Sequence, residues 1–123
     1  MVSPAVGKVI LVPFPFSDLP KSKLRPAVVL ADACRDDWVL CQITSNPYGD
    51  PNATLIKNES FTQGSLRIIS FARPGKLFTA SSGLMLGEVG MLRADVAGQI
   101  INAVIELLRH SVVRKGVKNE TTG

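Results

Sequence analysis

Residues 7–30 read Gly-Lys-Val-Ile-Leu-Val-Pro-Phe-Pro-Phe-Ser-Asp-Leu-Pro-Lys-Ser-Lys-Leu-Arg-Pro-Ala-Val-Val-Leu. Two apolar runs rich in β-branched residues, Val9 to Val12 and Ala27 to Leu30, flank a polar segment marked by prolines, the pattern of two strands around a loop. The first strand is expected over roughly Lys8 to Val12, because Pro13-Phe14-Pro15-Phe16 lacks the amide protons that a central ladder requires. The second is expected from about Pro26 to Ala31. Lys21, Lys23 and Arg25 have only Asp18 as an acidic neighbour, and Pro26 biases Arg25 towards extended backbone where the second strand begins. An arginine so placed is held by the main chain.

Outward from this pair, the chain continues as short strands and closes on a helix. A polar turn, Asp32 to Asp37, leads into a third strand, Trp38 to Thr44, which ends in Gln42-Ile43-Thr44-Ser45. Asn46 to Asn52 is a dense cluster of turn formers. Short strands are expected at Thr54 to Ile56 and Ser65 to Ile69, separated by the polar Lys57 to Gly64, and a last one at Gly83 to Val89. Between them Arg73-Pro74 repeats the Arg-Pro step. From Arg93 to Arg109 the period changes: Val96, Ile100, Val104 and Leu107 or Leu108 recur at helical spacing, widened by Ala97, Ile101 and Ile105. Asp95 suits the positive first turn of such a helix and Arg109 its negative last turn. Residues 1–110 are therefore expected as one mainly-β domain, a small β-barrel with a C-terminal helix, and residues 111–123 as a polar, basic, disordered tail.

Composition narrows the function. A chain of 123 residues with 46% hydrophobic and 20% charged residues suits one globular domain, and a net charge of +4 favours a polyanionic partner. The N-terminus lacks the parts of a signal peptide and no apolar run approaches a membrane span, so a cytoplasmic protein without a membrane partner is expected. Two cysteines, Cys34 and Cys41, and one histidine, His110, are too few for a structural zinc site; no metal or cofactor is expected. Cys41 reads as a buried thiol and Cys34 as a loop residue. Glycine-rich phosphate loops, Gly-x-Ser-x-Gly and His-Glu-x-x-His are all absent, and a lone histidine excludes a two-histidine ribonuclease. What remains is a set of loop-borne cations, Arg25, Arg73 and Lys76, with hydroxyls at Thr44 and Ser45.

These residues resemble the MazF/PemK-type toxins of toxin-antitoxin systems. Gly7 to Leu30, with its strand, loop and Arg25-Pro26 step, looks like the family's opening; Gln42-Ile43-Thr44-Ser45 looks like its second motif; Ser65 to Ile69 leading to Arg73 and Lys76 resembles the third. The terminal helix falls where the family has one. The resemblance spans about residues 7–109 and implies an SH3-like barrel of the CcdB/PemK/MazF kind, a homodimer, a cognate antitoxin, and a metal-independent endoribonuclease (mRNA interferase) acting on single-stranded RNA. It also implies that Arg25 and Thr44 are catalytic, with a further loop residue that spacing leaves open between Ser17 and Ser22.

Elementary chemistry agrees. RNA carries its own nucleophile, the 2′-hydroxyl, so a protein need only orient the phosphate, stabilise developing charge and manage protons. A guanidinium presents a planar fork to phosphate oxygens and a threonine a single adjustable hydroxyl, whereas an arginine is a poor base. Charge stabilisation is the safer role for Arg25. Lys21, Lys23, Ser45, Arg73 and Lys76 are candidate RNA contacts, with Arg73 equally able to support Arg25's loop, and Tyr48 is a candidate platform for a splayed base. The rival reading from another class is a non-catalytic protein of the same fold that binds a topoisomerase, nucleic acid or an antitoxin.

Overall fold

The computed structural model describes residues 2–13 and 23–120, with side chains as far as Ser111. Seven strands form one sheet: β1 (Lys8–Pro13), β2 (Leu24–Asp32), β3 (Asp37–Thr44), β4 (Thr54–Ile56), β5 (Phe61–Gly64), β6 (Ser70–Ser81) and β7 (Gly87–Leu92), followed by α1 (Ala94–Glu120). The spatial order is β4-β6-β3-β2-β1-β7-β5, with every pairing antiparallel, and the sheet curls into a half-barrel. The mainly-β architecture with a C-terminal helix is the one expected from the sequence.

Strand alternation builds two apolar clusters, one on each face. Val28 and Leu30 of β2 join Cys41, Ile43 and Ile56 beneath α1, which contributes Val96 and Ile100. Ala27 and Val29 point the other way, into a cluster with Ile10, Val12 and Leu40 that Trp38 and Phe78 border. The β-branched run that marks β2 is thus apolar on both sides because both sides are covered. Complete burial of Ile10, Leu40, Ile43, Ile56 and Ile100 contributes roughly 1.5–3 kcal/mol per side chain.

Several expectations are corrected. Ser65 to Ile69 is not a strand: the strand is β5, within the polar segment ahead of it. Gly64 at φ +70° and Arg67 at φ +62° turn the chain out of extended geometry, which leaves Ile68 and Ile69 exposed. Apolar composition alone suggested a strand there, and local backbone geometry overrides it. β5 is recognisable only through its partner, since Gly64 pairs with Gly90 of β7. A Cβ on Gly64 would lie 2.1 Å from the Val89 carbonyl oxygen, and one on Gly90 would lie 2.2 Å from that of Gln63, so two strands cross where neither can carry a side chain.

The last strand begins at Gly87 rather than Gly83, after a single 3-10 turn at Ser82–Leu84. α1 continues to Glu120, past the expected end at Arg109. No proline or glycine interrupts residues 109–115, and the Ser111 hydroxyl donates to the Leu107 carbonyl at 3.0 Å within the helix. His110 therefore lies inside the helix, 3.6 Å from Glu106, and not at its end.

Candidate functional site

Pro26 determines how the sheet opens. On one side β2 pairs with β1 along Leu11↔Pro26, Val12↔Arg25 and Pro13↔Leu24. On the other, its ladder with β3 begins only at Ala27↔Gln42, one residue after the proline that has no amide proton to give. Carried two residues further, that register sets Arg25 across from Thr44, but the two strands no longer pair there. Thr44 is instead bonded on its far side, opposite Phe71 of β6. The result is a fork with Arg25 on one prong and Thr44 on the other.

The fork has one face. Alternation places Arg25 on the side of Ala27 and Val29, and Thr44 on the side of Leu40 and Gln42, which is the same side of the sheet. Arg25 is exposed, and its guanidinium makes no hydrogen bond or ion pair among the described residues. Thr44 is half-buried; its Oγ1 accepts the Asn46 N–H at 3.2 Å, a bond that leaves the hydroxyl's own proton unused. An unshared guanidinium and a fixed hydroxyl are thus presented together at the open end of the ladder.

β6 supplies the flank. It matches Ile43↔Ala72 and then Cys41↔Leu77, so Arg73, Pro74, Gly75 and Lys76 form an excursion opposite the single residue Gln42. Pro74 is fully buried and anchors it. The Cys41 thiol donates to the Arg73 carbonyl at 3.1 Å, and burial pushes that thiol up to about 12, with the charge of Asp50 acting in the same direction and the Arg73 bond opposing. Cys41 is thus a protonated, inert support beneath the site. Arg73 is not an open cation: its Nε donates to Asp50 Oδ2 at 3.2 Å, and its guanidinium lies 5.5 Å from the centre of the Tyr48 ring. Lys76 is half-buried in the same excursion.

The loop after β3 is wound by its own side chains. Asn46 Oδ1 accepts the Tyr48 N–H and Asp50 Oδ1 the Asn52 N–H, each at 2.9 Å, and Tyr48 sits at φ +53°. Tyr48 is 69% exposed and Ser45 is exposed. The structure therefore gathers Arg25, Thr44, Ser45, Tyr48 and Arg73 around one end of β2, β3 and β6. Lys23 is exposed just before β2, while Ser17, Lys21 and Ser22 lie outside the described residues. Sequence reading missed Asp50, which looked like one turn former among several, and Gln42, whose position on the Thr44 face follows from strand alternation.

Other features do not compete with this site. An open depression of about 290 Å³ lies beside Lys57, Glu59 and Arg93. Arg93 is occupied there, donating to both carboxylate oxygens of Asp95 and to the Glu59 carbonyl. No group of three or more His, Cys, Asp or Glu residues that could hold a metal ion occurs among the described residues. Among them too, no helix is long and apolar enough to cross a membrane.

The architecture is a curled antiparallel half-barrel carrying a C-terminal helix. No family model matches the sequence, and neither does any curated protein. Solved structures do match. MazF from Deinococcus radiodurans aligns with a TM-score of 0.68 at 18% identity, over 88% of this chain and 98% of that one. A MazE-MazF complex from the same organism gives 0.67 at 18% identity, over 85% and 95%. An endoribonuclease in complex with its cognate antitoxin, from a mycobacterial species, gives 0.64 at 12% identity, over 88% and 95%. The chain has the fold of the MazF toxins.

Proposed function

We infer that this chain is the toxin of a toxin-antitoxin pair and that it cuts single-stranded RNA at specific sequences without a metal ion. The observation that carries the reading is the fork: in a MazF fold, an unshared Arg25 and a fixed Thr44 share one face at the opened end of β2 and β3. The 2′-hydroxyl gives its proton to solvent water as its oxygen attacks the adjacent phosphorus; an O2′–P bond forms, the P–O5′ bond breaks and O5′ takes a proton from water, leaving a 2′,3′-cyclic phosphate and a 5′-hydroxyl. Arg25 holds the non-bridging oxygens as charge grows on them. Thr44 donates its unused proton to the same phosphate and fixes its orientation.

The structural neighbours include complexes with an antitoxin, which supports a cognate antitoxin for this chain as well. Its contact would be with the same edge, where Lys23 and Lys76 add charge for an acidic partner. A homodimer is part of the reading. Of the helix stripe, Ile101 is used by the core, while Ile105 and Leu108 are exposed, as is Leu24. Phe78 packs into the second cluster and is the weaker contact candidate.

The test is purified protein with EDTA against a long single-stranded RNA whose new ends are mapped. Cleavage at defined sites with cyclic phosphate ends is expected, and DNA of the same sequence should survive. Equal cleavage of RNA blocked at every 2′-position overturns the mechanism. Sedimentation at micromolar concentration reads the mass, and a monomer of full activity removes the dimer.

A further inference from the structure

Outside the fork, Arg73 is a candidate RNA contact that already has partners. A cation on an RNA-binding edge is ordinarily left open to phosphate, yet this one is engaged twice. Its Nε is bonded to Asp50 with the two side chains only 21% and 14% exposed, and its guanidinium lies over Tyr48. Asp50 is itself fixed, with its other carboxylate oxygen on the Asn52 N–H and its own N–H on the Pro47 carbonyl at 2.9 Å. Tyr48 is fixed through its backbone by Asn46. The ring at the end of this chain of contacts is the most exposed large apolar side chain in the described part of the molecule, and it stands in left-handed backbone geometry that costs a tyrosine on the order of 1 kcal/mol or more.

We propose that Asp50 and Arg73 are positioning residues that lock Tyr48 as the stacking platform for one RNA base beside the scissile phosphate. This rests on the endoribonuclease reading above and names how the same site selects its substrate. The guanidinium is set against the ring by the Asp50 bond, and a nucleobase stacks on the ring's open surface. A cation beside an aromatic ring polarises it and limits its rotation, so the ring is pre-set before RNA arrives. Arg73 acts through Tyr48 and does not reach phosphate. The Asp50 carboxylate, which would repel RNA by simple charge, favours binding because it holds the lock.

That last point gives the test its sign. The probes are short single-stranded 2′-O-methyl oligoribonucleotides, which the enzyme cannot cut, each with 2-aminopurine at a different position. Wild-type protein is expected to quench the fluorophore strongly at one position. Tyr48→Ala should lose the quench and about 10-fold in affinity, as expected for one stacked base, while Tyr48→Phe keeps both. Asp50→Asn raises the net charge yet should weaken quench and affinity. Arg73→Ala should do the same with an unchanged slope of log affinity against log salt, because no phosphate contact is lost. Arg73→Lys, which keeps charge without the plane, should not restore the quench.

Tighter binding by Asp50→Asn, or a salt slope flattened by about one in Arg73→Ala with the quench intact, overturns the lock in favour of a phosphate contact. Thermal melts of each variant, with the probes bound below the melting range, separate loss of fold from loss of stacking. Wild-type protein that stacks the probes but leaves unblocked RNA whole refutes the endoribonuclease reading alone. Wild-type protein that cuts RNA while Tyr48→Ala binds and cuts equally well refutes the lock alone. Failure of every probe to bind while unblocked RNA is cut overturns the lock alone, and failure both to bind and to cut overturns both.

Discussion

The chain contains the dipeptide Arg-Pro twice, and the fold puts the two copies to opposite uses. Arg25-Pro26 lies at the start of a central strand, where the proline interrupts pairing with β3 and the arginine is left exposed with no partner among the described residues. Arg73-Pro74 lies in the middle of β6, where the proline is buried and the arginine is bonded to Asp50 and set against Tyr48. The difference lies in the neighbours: β2 ends its ladder at the first proline, whereas an acidic turn folds back over the second.

Substitution should separate the two copies. The largest effect is expected for Arg25→Ala, which should lower RNA cleavage by ~100-fold or more as for a main charge-stabilising donor, with stability changed by only about 0.5 kcal/mol as for other exposed positions. Arg25→Lys should recover only part of the rate. Thr44→Ala should follow at ~10- to 100-fold, with the circular dichroism spectrum kept. Retention of wild-type cleavage by either alanine variant would sink its assignment.

Asp50→Ala should show the reverse balance. Removing one partner of a mostly buried pair leaves Arg73 uncompensated and costs about 1–3 kcal/mol, read as a lower melting temperature, while the chemical step on bound RNA changes little. A melting temperature equal to that of wild type would mean the Asp50 and Arg73 pair carries no load.

The smallest effect is at alkaline pH. The Cys41 thiol is raised by burial to about 12 in the folded chain, against an ordinary value of 9.0. The unfolded chain therefore loses this proton first, so the thiol's contribution is fully present below about pH 9 and is lost as pH climbs towards 12. Cys41→Ala should flatten that part of the stability profile, and a wild-type profile flat to pH 11 would contradict the burial. In the folded protein, exposed Cys34 should take up a thiol reagent while Cys41 does not.

Much of this was legible in the sequence where pattern and chemistry coincide. β1, β2 and β3 announce themselves by β-branched runs closed by prolines and turn formers, and α1 by its period. Arg25 and Thr44 could be placed at the ends of such runs, but the catalytic roles proposed for them come from the family resemblance. β5 was hidden because its identity depends on a glycine facing a glycine on β7, which no local window contains. β6 was missed in the reading, which took Ser70 to Phe78 as an Arg-Pro step after a strand; its two halves are joined across the Arg73 to Lys76 excursion by pairing with β3. Asp50 was invisible as a site residue for a related reason: a turn-forming aspartate and a strut have the same sequence signature, and only the fold brings Arg73 within reach.

The crossing of β5 and β7 makes Gly64 and Gly90 one heritable unit. Each Cβ would strike the other strand's backbone near 2 Å, so a first methyl must push the two strands apart. Once they are apart, a second methyl on the facing glycine meets space that is already open. The two alanine substitutions should then cost together much less than the sum of their separate costs. Loss of Gly64 relaxes the constraint on Gly90, whereas Gly64 keeps the demand of its φ of +70° after Gly90 is lost.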